Sequence, residues 1–523
     1  MRAHFMAWLR SKEERVSASG FATIFATISA TISATIYALG LLAALSVWFL
    51  AIKAPLWLDE TGSYWNISSG FRQIWSRSIE LNSFPAYYYV LWFTNAILGS
   101  KEVVLRIPSV LAMLAATYVF YRCARNLFAR DVAVIATALF ILNRRIVFAA
   151  IDVRPYAFAL LMTNLAILSL LLWTKSHSPK KRVFYSALVG MTSAGIFYLH
   201  YLYGCIVVAF LIIFLIDAAR RHSRFADVCL QSGVAAGCFG LLMIPVLPRL
   251  WYLHQTRNTH IFAEAPPFRL LARALSPGVV GLVFAGALVL AVLVHKLSKP
   301  DAGSVRQFMM CATLAVAPLV ILYVISVATP LHVFIDRYEG VAVPGIALSW
   351  AWIFSLINSR MLRLIGCVAL VTWSACLSYT SPTAHIHKNT WKYALQFADT
   401  NAAPDGAPLV ICSDLPEADF QPMPAGPAGE SVLFASLGYY KVRATVIPMP
   451  RTLNQNAQVI GAHFIQRSAL NHQRFLALGY IASYPTLDWL ASQTSDTYVS
   501  RVLGDFDDVK VVEFAPRSVE AGN

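Results

Sequence analysis

Apolar runs of about 20 residues, long enough to cross a bilayer as a helix, recur from Phe21 to residue 381 and are separated by short polar turns. The first, Phe21–Ile52, is too long for the apolar core of a signal peptide and predicts an uncleaved span near residues 32–52. Basic clusters then mark alternate turns: Arg122/Arg125/Arg130, Lys175/Lys180/Lys181/Arg182, Arg220/Arg221/Arg224, Lys296/Lys299/Arg306 and Arg360/Arg363. Lys and Arg concentrate in cytoplasmic loops, so these turns are predicted inside. The loops 53–84, 152–156, 200–203, 248–277 and 329–339 are then predicted outside. One stretch breaks the alternation. The run 85–99 carries Pro85 and Tyr87-Tyr88-Tyr89 and is short for a crossing, so it is predicted interfacial or re-entrant, with 107–122 crossing. The expected fold class is a polytopic α-helical membrane protein of about eleven spans, with nine to thirteen as bounds.

From residue 382 the pattern changes to short apolar runs between polar, Pro- and Gly-containing turns. Residues 1–381 are therefore read as a membrane module, and 382–523 as a small soluble α/β domain on the non-cytoplasmic side. Within it, His387–Thr400 and Leu487–Leu503 are predicted helices, and Leu409–Cys412, Ala444–Ile447 and Val509–Phe514 are predicted strands.

Composition supports this division. Hydrophobic residues make up 58% of the 523 positions and charged residues 13%, about half the share usual in soluble domains. Mean hydropathy is +0.59. The net charge is +15, but from Pro382 onward ten Lys and Arg face thirteen Asp and Glu, so the tail is −3 and the remainder +18. A pI near 9.5 might suggest nucleic acid as a partner, but the bases lie in short clusters between apolar runs, where membrane topology puts them. Nucleic acid is excluded on that ground. Seven of the eight cysteines lie in or beside apolar segments, where they act as small hydrophobes.

Candidate chemistry gathers at the turns predicted outside. Leu58-Asp59-Glu60-Thr61-Gly62-Ser63-Tyr64 sets two adjacent acids beside the membrane surface in a chain poor in acids. Asp59 could N-cap a helix over 60–69 with Glu60 on its dipole, or serve as a general base in a partly dry cleft. Arg154, in Asp152-Val153-Arg154-Pro155-Tyr156, could pair with Asp152 or fork onto a phosphate. Arg337-Tyr338 repeats that arginine–aromatic pairing. His200 reads as a hydrogen-bonded interfacial residue or a substrate contact. Arg257 and His260 belong to a basic outer loop that lipid head groups could equally explain. No His or Cys spacing indicates a metal, and no phosphate-binding glycine loop is present. The converging carboxylates and guanidinium groups suit a lipid-phosphate donor, and the bundle would hold its tail.

In order and spacing these segments resemble the GT-C membrane glycosyltransferases of the protein-mannosyltransferase-like and aminoarabinose-transferase-like group. The likeness rests on Leu58-Asp59-Glu60 with Tyr64, Phe84-Pro85-Ala86-Tyr87-Tyr88, Arg106-Ile107-Pro108, Asp152–Ala157, Arg337-Tyr338 and Asn389-Thr390-Trp391-Lys392. It covers roughly residues 32–400. The resemblance implies transfer of one sugar, with inversion, from a polyprenyl-phosphate donor to an envelope glycan, lipid or protein on the non-cytoplasmic face of a bacterial inner membrane. It implies Asp59 as base and Glu60 as its support. Arg154, Arg337, Tyr338 and Arg106 are implied as phosphate contacts, with Tyr64, Asp152, Tyr156, His200, Arg257 and His260 as possible further contacts. Many relatives carry a histidine or acid where this chain has Asn82-Ser83-Phe84-Pro85, so no cofactor or metal is expected. The alternative expectation is a lipid-linked-sugar flippase or transporter, which would need ionisable residues lining a path in mid-membrane.

Overall fold

The computed structural model describes residues 38–220, 225–256, 264–276, 299–380 and 391–517, with a few isolated positions besides. After an apolar helix over Ala38–Phe49, the chain forms α1 (Leu58–Ser68) and α2 (Ala86–Leu98). α2 is the stretch expected not to cross. It has 13 residues and stops at Gly99, whose φ of 87° any Cβ would oppose. The long α3 (Glu102–Leu127) follows, then α4 (Arg130–Ile141) and α5 (Arg144–Ile151), bent 65° from each other. Next come α6 (Tyr156–Lys175), α7 (Pro179–Leu199), α8 (Ile206–Arg220), α9 (Phe225–Met243) and α10 (Leu247–Gln255). α11 (Ala302–Ala328), α12 (Val343–Ser355) and α13 (Arg360–Thr380) complete the bundle.

Among the described residues, five stretches are long and apolar enough to cross a bilayer, and the bent α4–α5 pair would make a sixth. The chain is a multi-pass helical membrane protein. The expected eleven spans are not reached, because α12 has only 13 residues and much of 1–37 and 277–298 lies outside the described residues. The bundle packs around Trp48, Met113, Phe120, Phe140, Tyr156 and Leu170, all essentially buried, with Phe120 stacked on Phe140 at 4.5 Å.

The C-terminal domain is a five-stranded sheet in the order β2-β1-β3-β5-β4, opened by α14 (Trp391–Ala402). Its strands are β1 (Leu409–Cys412), β2 (Val446–Met449), β3 (Phe475–Tyr480), β4 (Tyr498–Phe506) and β5 (Val509–Pro516). β1, β2 and β3 are mutually parallel, while β5 runs antiparallel to β3 and to β4. Two further helices are α15 (Gln455–Leu470) and α16 (Tyr484–Gln493). The helix expected over 487–503 is corrected: α16 ends at Gln493 and the chain re-enters the sheet as β4. β4 is the edge strand, so most of its residues face solvent and the alternation that marks a strand is weak.

The sheet domain and the bundle share one core. Leu56, Trp65, Tyr87 and Leu91 pack in the same buried cluster as Leu395, Leu409 and Phe434. Polar clasps accompany it. Leu56 N donates to Tyr440 Oη at 2.6 Å, Trp65 Nε1 donates to the Glu430 carbonyl at 2.8 Å, and Lys392 pairs with Glu102 at 2.7 Å.

Candidate functional site

α1 begins at Leu58, with Trp57 in the N-cap position, so it starts earlier than the expected 60–69. Glu60, not Asp59, is the capping acid: its Oε2 accepts from the backbone N of Trp57 at 3.2 Å. Successive helical residues point about 100° apart, and that angle separates the two acids. Glu60, 1% exposed, is held by Arg106 Nη2 at 2.6 Å, Arg106 Nε at 3.1 Å and Val153 N at 3.0 Å. Asp59 turns the other way. Its Oδ2 lies 2.8 Å from Arg337 Nη1 and 3.9 Å from Arg154 Nη2.

The cleft that receives Asp59 has a volume of about 410 Å³, and its walls include Trp57, Arg154, His200, Arg337 and Tyr338 from the bundle. Across from them stand Asp414, Glu417, Gln421, Arg451 and Tyr480 of the C-terminal domain. Burial alone would drive down the proton affinity of the Arg154 guanidinium, but the Asp59 carboxylate, together with Tyr88, Tyr156 and Asp152, outweighs it and holds the group charged. Arg337 is likewise held charged against burial by the Tyr338 and Asp59 oxygens, and it rests over the rings of Tyr338 and Trp57 at 5.4 and 5.8 Å. His200 stands about 5 Å from the rings of Tyr156, Tyr203 and Tyr338. Burial, then the Arg154 and Arg337 charges, push its imidazole down to about 3, so it is neutral at physiological pH. An apolar cavity of about 240 Å³ shares Tyr201, Leu202 and Tyr338 with the cleft and continues past Leu253 and Ile335.

Several expected contacts lie elsewhere. Arg106 is 3% exposed and donates to Glu60 and to the carbonyls of Ile52 and Ala54, so it braces α1 and does not reach a phosphate in this cleft. Asp152 does not pair with Arg154. It accepts from Trp57 Nε1 at 3.0 Å, its carboxyl pushed well above the usual range by burial and by the Glu60 charge. The Tyr64 ring packs edge-on against Tyr439 at 4.8 Å, away from the cleft. Tyr156 is buried behind His200 and supports it. Arg257 and His260 lie outside the described residues, as do Asn389 and Thr390.

Three contributions escaped the sequence reading. Arg249 donates to the carbonyls of Ser78 and Ser83 and so fixes the loop that lines one wall. Arg145 pairs with Glu339 behind Arg337. The C-terminal domain supplies the opposite wall, including Asp414, whose carboxyl burial pushes up to about 6 despite the bond from Trp391 Nε1. Its sequence signal was present in Ser413-Asp414, directly after a predicted strand. Among the described residues, no group of three or more His, Cys, Asp or Glu is gathered to hold a metal.

Residues 82–252 match the family model for dolichyl-phosphate-mannose-protein mannosyltransferase. No curated protein matches the chain in sequence. Among solved structures, the chain is similar to ArnT from Cupriavidus metallidurans bound to undecaprenyl phosphate, with a TM-score of 0.53 at 12% identity. That match covers 91% of this chain and 97% of that one. It also matches the Archaeoglobus fulgidus oligosaccharyltransferase tethered with an acceptor peptide, with a TM-score of 0.47 at 11% identity over 89% of this chain and 72% of that one. The matched family segment, which carries Arg154 and His200, and the fold shared with ArnT together uphold the resemblance to the GT-C membrane glycosyltransferases.

Proposed function

We propose that this chain is an integral membrane glycosyltransferase that moves one sugar from a polyprenyl-phosphate donor to a hydroxyl of a cell-envelope acceptor on the non-cytoplasmic face. The observation that carries the reading is Asp59 held between Arg337 and Arg154 at the mouth of a cleft that adjoins an apolar groove. A lipid phosphate fits that arrangement, with its head on the two guanidinium groups and the first units of its tail along Leu253 and Ile335. The ArnT structure, bound to undecaprenyl phosphate, supports a ligand of this kind.

The ion pairs also couple donor binding to the freeing of Asp59. In the described state the Asp59 carboxylate is paired with both guanidinium groups. A donor phosphate competes for those cations, and as they turn to it Asp59 becomes a better base. Asp59 then takes the acceptor hydroxyl proton as the acceptor oxygen bonds to the anomeric carbon from the side opposite the phosphate. The bond from that carbon to the phosphate oxygen breaks, and its electron pair stays on the phosphate, where Arg154 and Arg337 oppose the developing charge. The configuration inverts.

The test is incubation of the purified protein with a panel of polyprenyl-phosphate sugars and membrane-derived acceptors. At least one donor should be consumed by the native chain, and Asp59→Asn should lower turnover by about 100-fold or more while the protein stays folded. Near-native turnover in the variant removes Asp59 as base. Consumption of no donor by the native chain shifts the reading to a flippase.

A further inference from the structure

The polar residues on the soluble side of the cleft share an origin in the sheet. Asp414 and Glu417 follow the C-terminal end of β1, Arg451 follows that of β2, and Tyr480 ends β3. These are the three parallel strands, in the order β2-β1-β3. The chain leaves β1 for one neighbour and then crosses to the other, which opens a crevice beyond the strand ends between β1 and β3. Parallel α/β sheets bind their ligands in that crevice. Here it faces the helical bundle and forms a wall of the same cavity as Asp59.

The crevice is held rigidly. Asp419 accepts from Thr452 N at 2.8 Å, tying the loop after β1 to the loop after β2. Ser413 Oγ donates to the Leu433 carbonyl at 2.7 Å and Trp391 Nε1 donates to Asp414 at 2.9 Å. The buried Nε of Arg451 has no partner among the described residues. The two walls also differ in their balance of charge. The bundle wall presents Arg154 and Arg337 with the carboxylates Asp59 and Glu80, whereas the domain wall presents Asp414 and Glu417 with Arg451. The two guanidinium groups that meet at Asp59 offer an anionic donor its place on the bundle side. The domain side favours a neutral or cationic ligand rich in hydroxyl groups, which carboxylates, a carboxamide, a guanidinium and a phenol can bind together.

We infer that the strand-end crevice of the C-terminal domain is the acceptor subsite, binding an uncharged or amino-bearing saccharide through Asp414, Glu417 and Arg451 opposite Asp59. The inference rests on the transfer reading for the word acceptor, but the binding itself can be tested alone. Saturation-transfer NMR on the full-length detergent-solubilised protein would use methyl glucoside, glucosamine and glucose 6-phosphate as probes. Methyl glucoside and glucosamine should bind, and glucose 6-phosphate, whose phosphate can also reach Arg154 and Arg337, reports on the bundle side. The signals of the first two should fall about tenfold or more, the loss expected for charge-assisted hydrogen bonds, in the double variant Glu417→Gln/Arg451→Ala. Glu417→Gln alone, nearly isosteric, should give a smaller loss at an unchanged melting temperature.

No binding of methyl glucoside or glucosamine by the native chain, or equal binding of them by the double variant, would each overturn the subsite. Donor consumption without saccharide binding rejects the crevice and leaves the transfer reading standing; saccharide binding without consumption of any donor does the reverse.

Discussion

Asp59 and Glu60 are neighbours in sequence with opposite environments. Glu60 carries a buried ion pair and bonds from two backbone amides, so removing its charge strands Arg106 in a dry site. Glu60→Gln should therefore cost about 3–5 kcal/mol of stability, read as a large fall in melting temperature, whereas Asp59→Asn should leave that temperature nearly unchanged. Equal melting temperatures for the two variants would contradict the split. The acid pair was legible in the sequence, but the division of labour was not, because it depends on the helix beginning at Leu58. A shift of two residues exchanges the faces. His200 gives a second residue-scale test. Its folded-state value near 3 lies below the ordinary histidine value of 6.5. Between about pH 6.5 and 3 the unfolded chain therefore binds a proton that the folded chain does not, and stability falls as pH is lowered, by at most about 1.4 kcal/mol per unit. Asp414, raised to about 6, acts in the opposite sense between roughly pH 4 and 6. The comparison must therefore be made against His200→Gln, whose melting temperature should fall less than the native protein's between pH 7 and 5.

At the scale of elements, close helix contacts rest on small residues. A Cβ on Gly345 of α12 would lie 2.3 Å from the backbone N of Ala315 in α11, a distance only main chain with no side chain between can tolerate. Because α12 leads directly out of the Arg337-Tyr338 turn, Gly345→Val should push that turn away from Asp59. It should lower both melting temperature and turnover, the latter by about tenfold or more. Retention of both would show that the contact is slack. The helical, apolar character of the bundle was readable from its long apolar runs, and β1 was placed at its observed bounds, residues 409–412. Helix α15 and strand β3 were not, since the Gln455–Leu470 stretch mixes apolar and polar residues without a clean stripe. β3, buried along nearly its whole length, shows no alternation to detect.

For the molecule as a whole, the sheet domain completes both the core and the cleft. Leu56, Trp65 and Tyr87 are buried partly by domain residues, so a chain ended after residue 380 would expose an apolar face at the membrane surface. Such a truncation should accumulate poorly and show no turnover. Stable accumulation with a native-like melting transition would mean that the bundle folds alone. Sequence could place this domain after the last span but not against the first loop, since that contact joins positions hundreds of residues apart. The seam also has a practical consequence for topology. Because Leu56, Glu102 and Ser100 are bonded to Tyr440, Lys392 and Tyr439, the sheet domain and the Asp59 carboxylate share one compartment. A reporter enzyme fused after β5 would therefore reveal, by the compartment in which it lights up, which side of the bilayer hosts the sugar chemistry.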